Sequence, residues 1–413
     1  MHDLIIIGTG PAGISCAKAA LKANLNTVLI DQSEILFGGT CLNRGCIPTK
    51  YMFNAAKGKF VWGEALAEVH RLVGSIRSST IQFFQKHGVE VLWGKARFID
   101  SNSVEVAGET VVGKYVVIAT GSRPKLILED EKIITADELF KIKNVPEKVL
   151  IIGAGYIGLE MASLLNSFGT SVHVVEKEKL ILPGFDHYLA NRLKIMLQKK
   201  GIKIETEKSL QDCKYDSYDL IISSIGRSPY TEGLGISSAG VSVDEGGWVK
   251  TDAYLRTTAE NIYACGDITG KKLLAYVGEE QARVCVHNIK NGSSLKENYK
   301  NIPECVFTLP SLATVGTLED EAKAKALNYK IIQTNFLKYS SSYVYSDLDG
   351  FIQLLIDEDQ AIIGCGIISN YAAELISIPA LCVKKKLKLS DLKELLLIHP
   401  TMSEIIPLTI LEA

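Results

Sequence analysis

Leu4-Ile5-Ile6-Ile7-Gly8-Thr9-Gly10-Pro11-Ala12-Gly13 lies almost at the start of the chain. A four-residue aliphatic run stops at the first of three glycines spaced G-x-G-x-x-G, and Ile14 to Ala23 then reads as a helix. Thr27 to Ile30 is a second short apolar run, and it ends in Asp31. Strand, glycine turn, helix, strand and acid in that order form the dinucleotide-binding pattern. Gly8, Gly10 and Gly13 permit a tight turn and close approach to a pyrophosphate resting on the helix N-terminus. Asp31 is placed to accept hydrogen bonds from a ribose.

The pattern recurs. Val149 to Ile152 leads into Gly153-Ala154-Gly155-Tyr156-Ile157-Gly158, a helical segment to Phe168, and a strand Ser171 to Val175 ending in Glu176. Asp31 and Glu176 each lie eighteen residues beyond the third glycine of their own motif. Two copies at one spacing do not arise by chance. The fold class is therefore α/β with two Rossmann-like units. An acid at position 176 favours an unphosphorylated 2′-hydroxyl, hence NAD over NADP. His173 reads as a packed strand residue rather than a phosphate ligand.

Just after the first unit comes Gly38-Gly39-Thr40-Cys41-Leu42-Asn43-Arg44-Gly45-Cys46-Ile47-Pro48-Thr49-Lys50. Cysteines five apart on an undistorted helix lie beyond disulfide reach. A bridge between Cys41 and Cys46 thus needs a break in the backbone, which Gly45 tolerates. Pro48 suits the first turn of a helix. A helix starting there would hold Cys46 at its positive end, where a thiolate is stabilised. The bland alternatives are two inert cysteines or half of a metal site. Cys-x4-Cys is not the usual zinc spacing and no second pair accompanies it, so the redox reading is preferred and no metal is expected. Two dinucleotide sites with a dithiol beside the first imply electron transfer between a bound flavin and a diffusible nicotinamide.

Composition sets bounds. A chain of 413 residues suggests two or three domains, and a net charge of -2 makes no electrostatic case for nucleic acid or an anionic membrane as partner. Nine cysteines, an odd number spread over this length, do not resemble a secreted disulfide framework. The N-terminus shows no basic signal region, and no apolar run approaches membrane-spanning length. A soluble protein of a reducing, cytoplasmic compartment is expected.

Between the fingerprints, Glu64 to Lys86 reads as a long helix. Val89 to Phe98 and Ser103 to Val112 read as paired strands, and Tyr115 to Ala119 as a return strand. Phe140 to Lys148 reads as a boundary and Lys290 to Asn301 as a linker. Strands Lys330 to Phe336, Gly350 to Ile356 and Ala361 to Ile368 follow, with helices at Leu318 to Leu327 and Ala372 to Lys385.

Gly38 to Lys50 resembles the active-site signature of the flavoprotein disulfide reductases, the pyridine nucleotide-disulfide oxidoreductases, and most closely that of dihydrolipoamide dehydrogenase. The resemblance runs along nearly the whole chain. Ala119-Thr120-Gly121 is similar to the family's ATG turn, and Gly226-Arg227-Ser228-Pro229 to its GRxP segment. Asn261 to Asp267 is similar to its second flavin motif, Thr308 to Gly316 to the opening of its interface domain, and His399-Pro400-Thr401-Met402-Ser403-Glu404 to its HPTxSE signature. The resemblance implies FAD bound by Gly8, Gly10, Gly13, Asp31, Gly39, Thr40, Lys50, Thr120, Gly121, Gly266 and Asp267. It implies NAD bound by Gly153, Gly155, Gly158, Glu176 and Gly226. The expected domains are an FAD-binding domain (1–146), an NAD-binding domain (147–254), a return segment of the first (255–300) and an interface domain (301–413).

The resemblance also gives roles. Read alone, His399 is a polar loop residue ahead of a proline, and Glu404 fits a capping box with Thr401. With the dithiol upstream the dyad is preferred: His399 as base for substrate thiols, Glu404 holding and charging it. Lys50 pairs with Glu160 near the flavin. His399 reaches the dithiol of the other subunit, so the enzyme is a homodimer with a shared active site. Its expected substrate is dihydrolipoamide or a lipoyl domain, with a 2-oxo-acid dehydrogenase complex as partner.

Some features depart from that pattern. The chain is shorter than most members, Tyr276 stands where dihydrolipoamide dehydrogenases commonly carry histidine, and Ser340-Ser341-Ser342-Tyr343 replaces an Asn-x-Arg-Ala stretch. The alternatives are a reductase of glutathione-like or coenzyme A disulfide, and a low-turnover structural subunit. Intact Cys41, Cys46, Lys50, His399 and Glu404 argue against the last.

Overall fold

The computed structural model describes residues 1–411. They group into two compact units. The first holds Met1–Ile127, Thr135–Asn144 and Ile225–Asn298; the second holds Leu128–Ile134, Val145–Ser224 and the chain from Tyr299 onward.

In the first unit a seven-stranded sheet runs in the order Glu90–Trp93, Thr27–Asp31, His2–Ile7, Glu109–Ile118, Ser103–Val106, Ala96–Phe98, with Ile262–Ala264 also paired to Glu109–Ile118. The first four strands and Ile262–Ala264 pair in parallel. The aliphatic run of the first strand is buried on both faces, as parallel sheets require. Leu4 and Ile6 pack in one core with residues of the helices Pro11–Lys22 and Ala275–Asn291, while Ile5 and Ile7 pack in another on the opposite face. Period-two alternation is thus present, hidden because both faces are apolar.

Two expected strands are reorganised. Ser103 to Val112 is not one strand: it turns back at Ala107-Gly108, whose φ values of 51° and 86° form a two-residue hairpin turn. The second arm then runs unbroken over Glu109–Ile118 and absorbs the expected return strand. Val89 to Phe98 is interrupted at Gly94, so Glu90–Trp93 pairs with Thr27–Asp31 and Ala96–Phe98 with Ser103–Val106.

In the second unit, Lys203–Thr206, Ser171–Glu176, Lys148–Ile152 and Leu220–Ser223 lie side by side in parallel, the second Rossmann-like sheet. A five-stranded antiparallel sheet follows, ordered Glu304–Val306, Ser311–Gly316, Ile362–Ser369, Phe351–Ile356, Lys330–Asn335. Its core takes Ile405, Ile406 and Ile410 from the last helix, Ile405–Leu411. The expected helix Ala372 to Lys385 forms as two, Ala372–Leu375 and Ser377–Lys385, with Pro379 in the first turn of the second, where a missing N–H is harmless. No helix among the described residues is long and apolar enough to cross a membrane.

Candidate active site

The first fingerprint folds as its spacing requires. Strand His2–Ile7 ends at Gly8, and the helix Pro11–Lys22 starts after Gly10 with proline at its first position. A Cβ at Gly13 would fall on the Gly8 carbonyl oxygen, so glycine is obligatory there. Asp31 ends its strand and accepts from Thr9 N at 3.0 Å, from Gln32 N at 2.6 Å, and from the Thr9 hydroxyl. Burial raises the Asp31 pKa despite these donors. The same Thr9 hydroxyl accepts from Gly38 N at 3.1 Å, which joins the fingerprint to the cysteine stretch.

That stretch forms two helices, Gly39–Arg44 and Cys46–Lys57, separated by Gly45 at φ −130°, ψ −112°. The break lies where the cysteine spacing demands it. Asn43 steadies the first helix by donating to the carbonyls of Leu36, Phe37 and Gly39 at 3.1, 3.0 and 2.8 Å. Neither Cys41 nor Cys46 is in a disulfide. Their side chains are in hydrogen-bond contact, which pushes the Cys41 thiol well above its ordinary range, and partial burial adds to it. The Lys50 charge acts the other way and Glu279 adds to the rise. Cys46, exposed at the first residue of a 12-residue helix, is the sulfur better placed to be a thiolate.

Beyond the cysteines, the strand Ile262–Ala264 delivers Gly266 and Asp267. Gly266 N donates to the buried Gln281 Oε1 at 2.7 Å, and Asp267 Oδ2 accepts from Ser122 Oγ at 2.5 Å. Thr120 and Gly121 follow the strand Glu109–Ile118, where Thr120 Oγ1 is buried with no hydrogen-bond partner.

The second fingerprint repeats the first in the other unit. A Cβ at Gly158 would fall on the Gly153 carbonyl oxygen. Glu176 is buried and takes Ala154 N at 2.7 Å on one oxygen and Glu178 N at 3.0 Å on the other. His173 points elsewhere: its Nδ1 lies 2.6 Å from Tyr218 Oη and its Nε2 2.7 Å from Glu205, and burial lowers its pKa.

At the C-terminus His399 sits outside regular structure, 69% exposed, with Nδ1 3.0 Å from Glu404 Oε2. The Glu404 carboxylate is 11% exposed. Thr401 makes no side-chain cap; its hydroxyl donates to Ile398 O at 2.7 Å. The Glu404 carboxylate therefore meets His399 with no cap from Thr401. Glu160, on the helix Tyr156–Ser167, accepts from Phe307 N at 3.1 Å. Lys50 and the cysteines belong to the first unit, and Glu160, His399 and Glu404 to the second.

Comparison with known proteins agrees with this geometry. Residues 2–288 match the family described as pyridine nucleotide-disulphide oxidoreductase, and residues 302–410 match its dimerisation domain. The chain belongs to this family. Dihydrolipoyl dehydrogenase of Chlamydia trachomatis is 32% identical over 98% of this chain and 95% of its own length. The mitochondrial dihydrolipoyl dehydrogenase 2 of Arabidopsis thaliana is 31% identical over 98% and 89%. Among solved structures, a Cu(II) complex of the HOCl-induced flavoprotein disulfide reductase RclA from Escherichia coli superposes with a TM-score of 0.94 at 27% identity, covering 100% of this chain and 99% of that one.

As a member of the pyridine nucleotide-disulphide oxidoreductases, the protein is an NAD-dependent flavoprotein disulfide oxidoreductase with FAD and NAD as cofactors. Its residues fit both. The space a Cβ would take is open at Gly10 of the first fingerprint, at Gly121, next in the chain to the orphaned Thr120 hydroxyl, and at Gly155 of the second fingerprint. The match to the dimerisation domain makes it a homodimer. Sequence reasoning missed Thr9, Ser122, Asn43 and Asp137, which touch or brace the site. Only Thr9 left a signal there, as the hydroxyl residue between two fingerprint glycines.

Proposed function

We propose that the protein oxidises a small dithiol, dihydrolipoamide or a lipoyl group, at Cys41 and Cys46, with NAD as the final acceptor. The reading is supported above all by the two sulfurs in contact across the Gly45 break, with the Cys41 thiol raised by that contact and by partial burial, and Cys46 at a helix N-terminus. FAD, when bound, supplies the two-electron chemistry that links the dithiol to the nicotinamide.

The chain's own residues move protons and sulfur. With Nδ1–H given to Glu404, the His399 tautomer leaves Nε2 as the base that accepts a substrate thiol proton. The substrate thiolate attacks the Cys41 sulfur of the oxidised pair, forming a mixed disulfide while Cys46 leaves as a thiolate. The second substrate sulfur then attacks its own half of the mixed disulfide, closing the substrate disulfide and releasing Cys41. In this reading His399 comes from the partner subunit, and Lys50 with Glu160 brackets the flavin. A 2-oxo-acid dehydrogenase complex is the partner this substrate implies.

A second reading, a reductase working outside such complexes, is favoured by the full-length likeness to RclA and by Tyr276 and Ser340 to Tyr343 in place of the residues common in dihydrolipoamide dehydrogenases. NADH oxidation by the purified dimer, measured with lipoamide, glutathione disulfide, coenzyme A disulfide and Cu(II), separates the two. Turnover with lipoamide alone supports the first reading. Turnover with another acceptor and none with lipoamide overturns it.

A further inference from the structure

Arg44 lies between the two cysteines in the sequence and ends the helix Gly39–Arg44. Its Nε lies 3.5 Å from Asp137 Oδ2, while Arg227 Nη1 lies 3.5 Å from Oδ1 of the same carboxylate. Asp137 is 12% exposed, Arg227 10% and Arg44 37%. One shielded carboxylate thus receives two guanidinium groups from segments remote in sequence.

Asp137 is itself firmly placed. Thr135 and Glu138 close a capping box over the helical turn Ala136–Lys141 that carries it. Arg227 is anchored on its far side by Nε to Ser122 Oγ at 2.6 Å and Nη2 to Ser122 O at 2.8 Å. Asp137 and Arg227 are shielded and held, and Arg44 is the most exposed of the three, its Nε within ion-pair range of the carboxylate but without a hydrogen bond. On the other side of the same helix, Arg77 Nη2 donates to Asn43 Oδ1 at 2.5 Å. Arg44 also acts electrostatically on Asp31, lowering its pKa against burial.

This matters because reduction removes the covalent link between Cys41 and Cys46. The backbone break at Gly45 then leaves the turn between them dependent on non-covalent ties. We propose that Arg44 and Asp137 are a positioning pair that holds the redox turn so that Cys46 stays presented to Cys41. The inference rests on the redox role of the two cysteines. Loosening the turn lowers the effective concentration of one sulfur at the other, and the disulfide becomes easier to open.

The test is the thiol–disulfide equilibrium of the full-length protein in dithiothreitol buffers. The protein disulfide takes two electrons and two protons from reduced dithiothreitol, giving two protein thiols and the cyclic disulfide. Alkylation and mass measurement count the thiols in the wild type, Arg44→Gln, Asp137→Asn, the double variant and Asp137→Glu. Each of the first two should shift the equilibrium about tenfold toward the dithiol, the double variant no further than the larger single. Asp137→Glu should recover most of the wild-type value, which a general loss of stability would not do. No shift in Arg44→Gln, or shifts that multiply in the double variant, overturns the pair. If Asp137→Asn does not fold, Arg44→Gln, whose side chain is partly exposed, and Asp137→Glu decide. A wild type with no disulfide in any buffer overturns the redox reading of the cysteines instead.

Discussion

The two fingerprints share one backbone, and the side chain after the first glycine sets them apart. In each, the residue after the first glycine donates its N–H to the acid that ends the second strand: Thr9 to Asp31 at 3.0 Å, Ala154 to Glu176 at 2.7 Å. In each, the third glycine packs on the carbonyl of the first. Thr9, however, carries a hydroxyl that bonds Asp31 and receives Gly38 N, and Ala154 has none. The first site is wired into the redox stretch and the second is complete in itself. If the first fingerprint holds the resident FAD and the second the exchanging NAD, as we propose, the extra tie lies at the cofactor that stays.

The largest effects should come from breaking each scaffold separately. Gly158→Val drives a side chain into the Gly153 carbonyl, destabilising the second fingerprint by ~1–3 kcal/mol, and with its turn distorted NADH affinity should fall roughly a hundredfold while the protein stays yellow. Gly13→Val should instead leave the preparation without FAD. Absorbance spectra and NADH titration read both, and a loss of flavin in Gly158→Val would show that the two sites are not independent.

The C-terminal dyad comes next. His399→Gln should slow oxidation of dihydrolipoamide by ~10²–10⁴-fold, the usual contribution of a general base. Glu404→Gln should fall by less but clearly, because it removes the carboxylate that orients Nδ1–H and offsets the positive charge the ring gains on taking a proton. Reduction by NADH in a stopped-flow instrument should be spared in both. A Glu404→Gln variant as fast as wild type would return Glu404 to a structural role.

Smaller changes sharpen the comparison of the two acids. NADH should be preferred to NADPH by roughly ten- to a hundred-fold in kcat/KM, because a 2′-phosphate meets the Glu176 charge. Equal values would refute this. Thr9→Val should leave Gly38 N without its acceptor, at about 1–3 kcal/mol, and speed FAD release roughly tenfold, followed by flavin fluorescence. Unchanged release would mean the hydroxyl link is dispensable.

The glycine spacings carried most of the fold because they demand one backbone each, and period-two burial filled in the strands around them. The turn at Ala107-Gly108 and the interruption at Gly94 escaped notice because neither breaks the apolar pattern. The backbone break between Cys41 and Cys46 was legible because a bridge at their spacing requires one and Gly45 permits it. Glu404 was ambiguous: a capping box and a histidine partner place the same residue types in the same order. Only the position of Thr401, whose hydroxyl turns to Ile398, separates them. Asp137 could not be read at all, since its partners Arg44 and Arg227 are brought to it solely by the fold.

The account turns on which sulfur carries the charge, and the absorbance of the two-electron-reduced protein measures that directly. Reduction by one equivalent of NADH should give wild-type protein a long-wavelength band from a thiolate beside oxidised flavin. Cys41→Ser should show the band without reduction, since Cys46 remains as the thiolate. Cys46→Ser should lack it. A band retained in Cys46→Ser and lost in Cys41→Ser would contradict the assignment of Cys46 as the thiolate and Cys41 as the sulfur that meets the substrate.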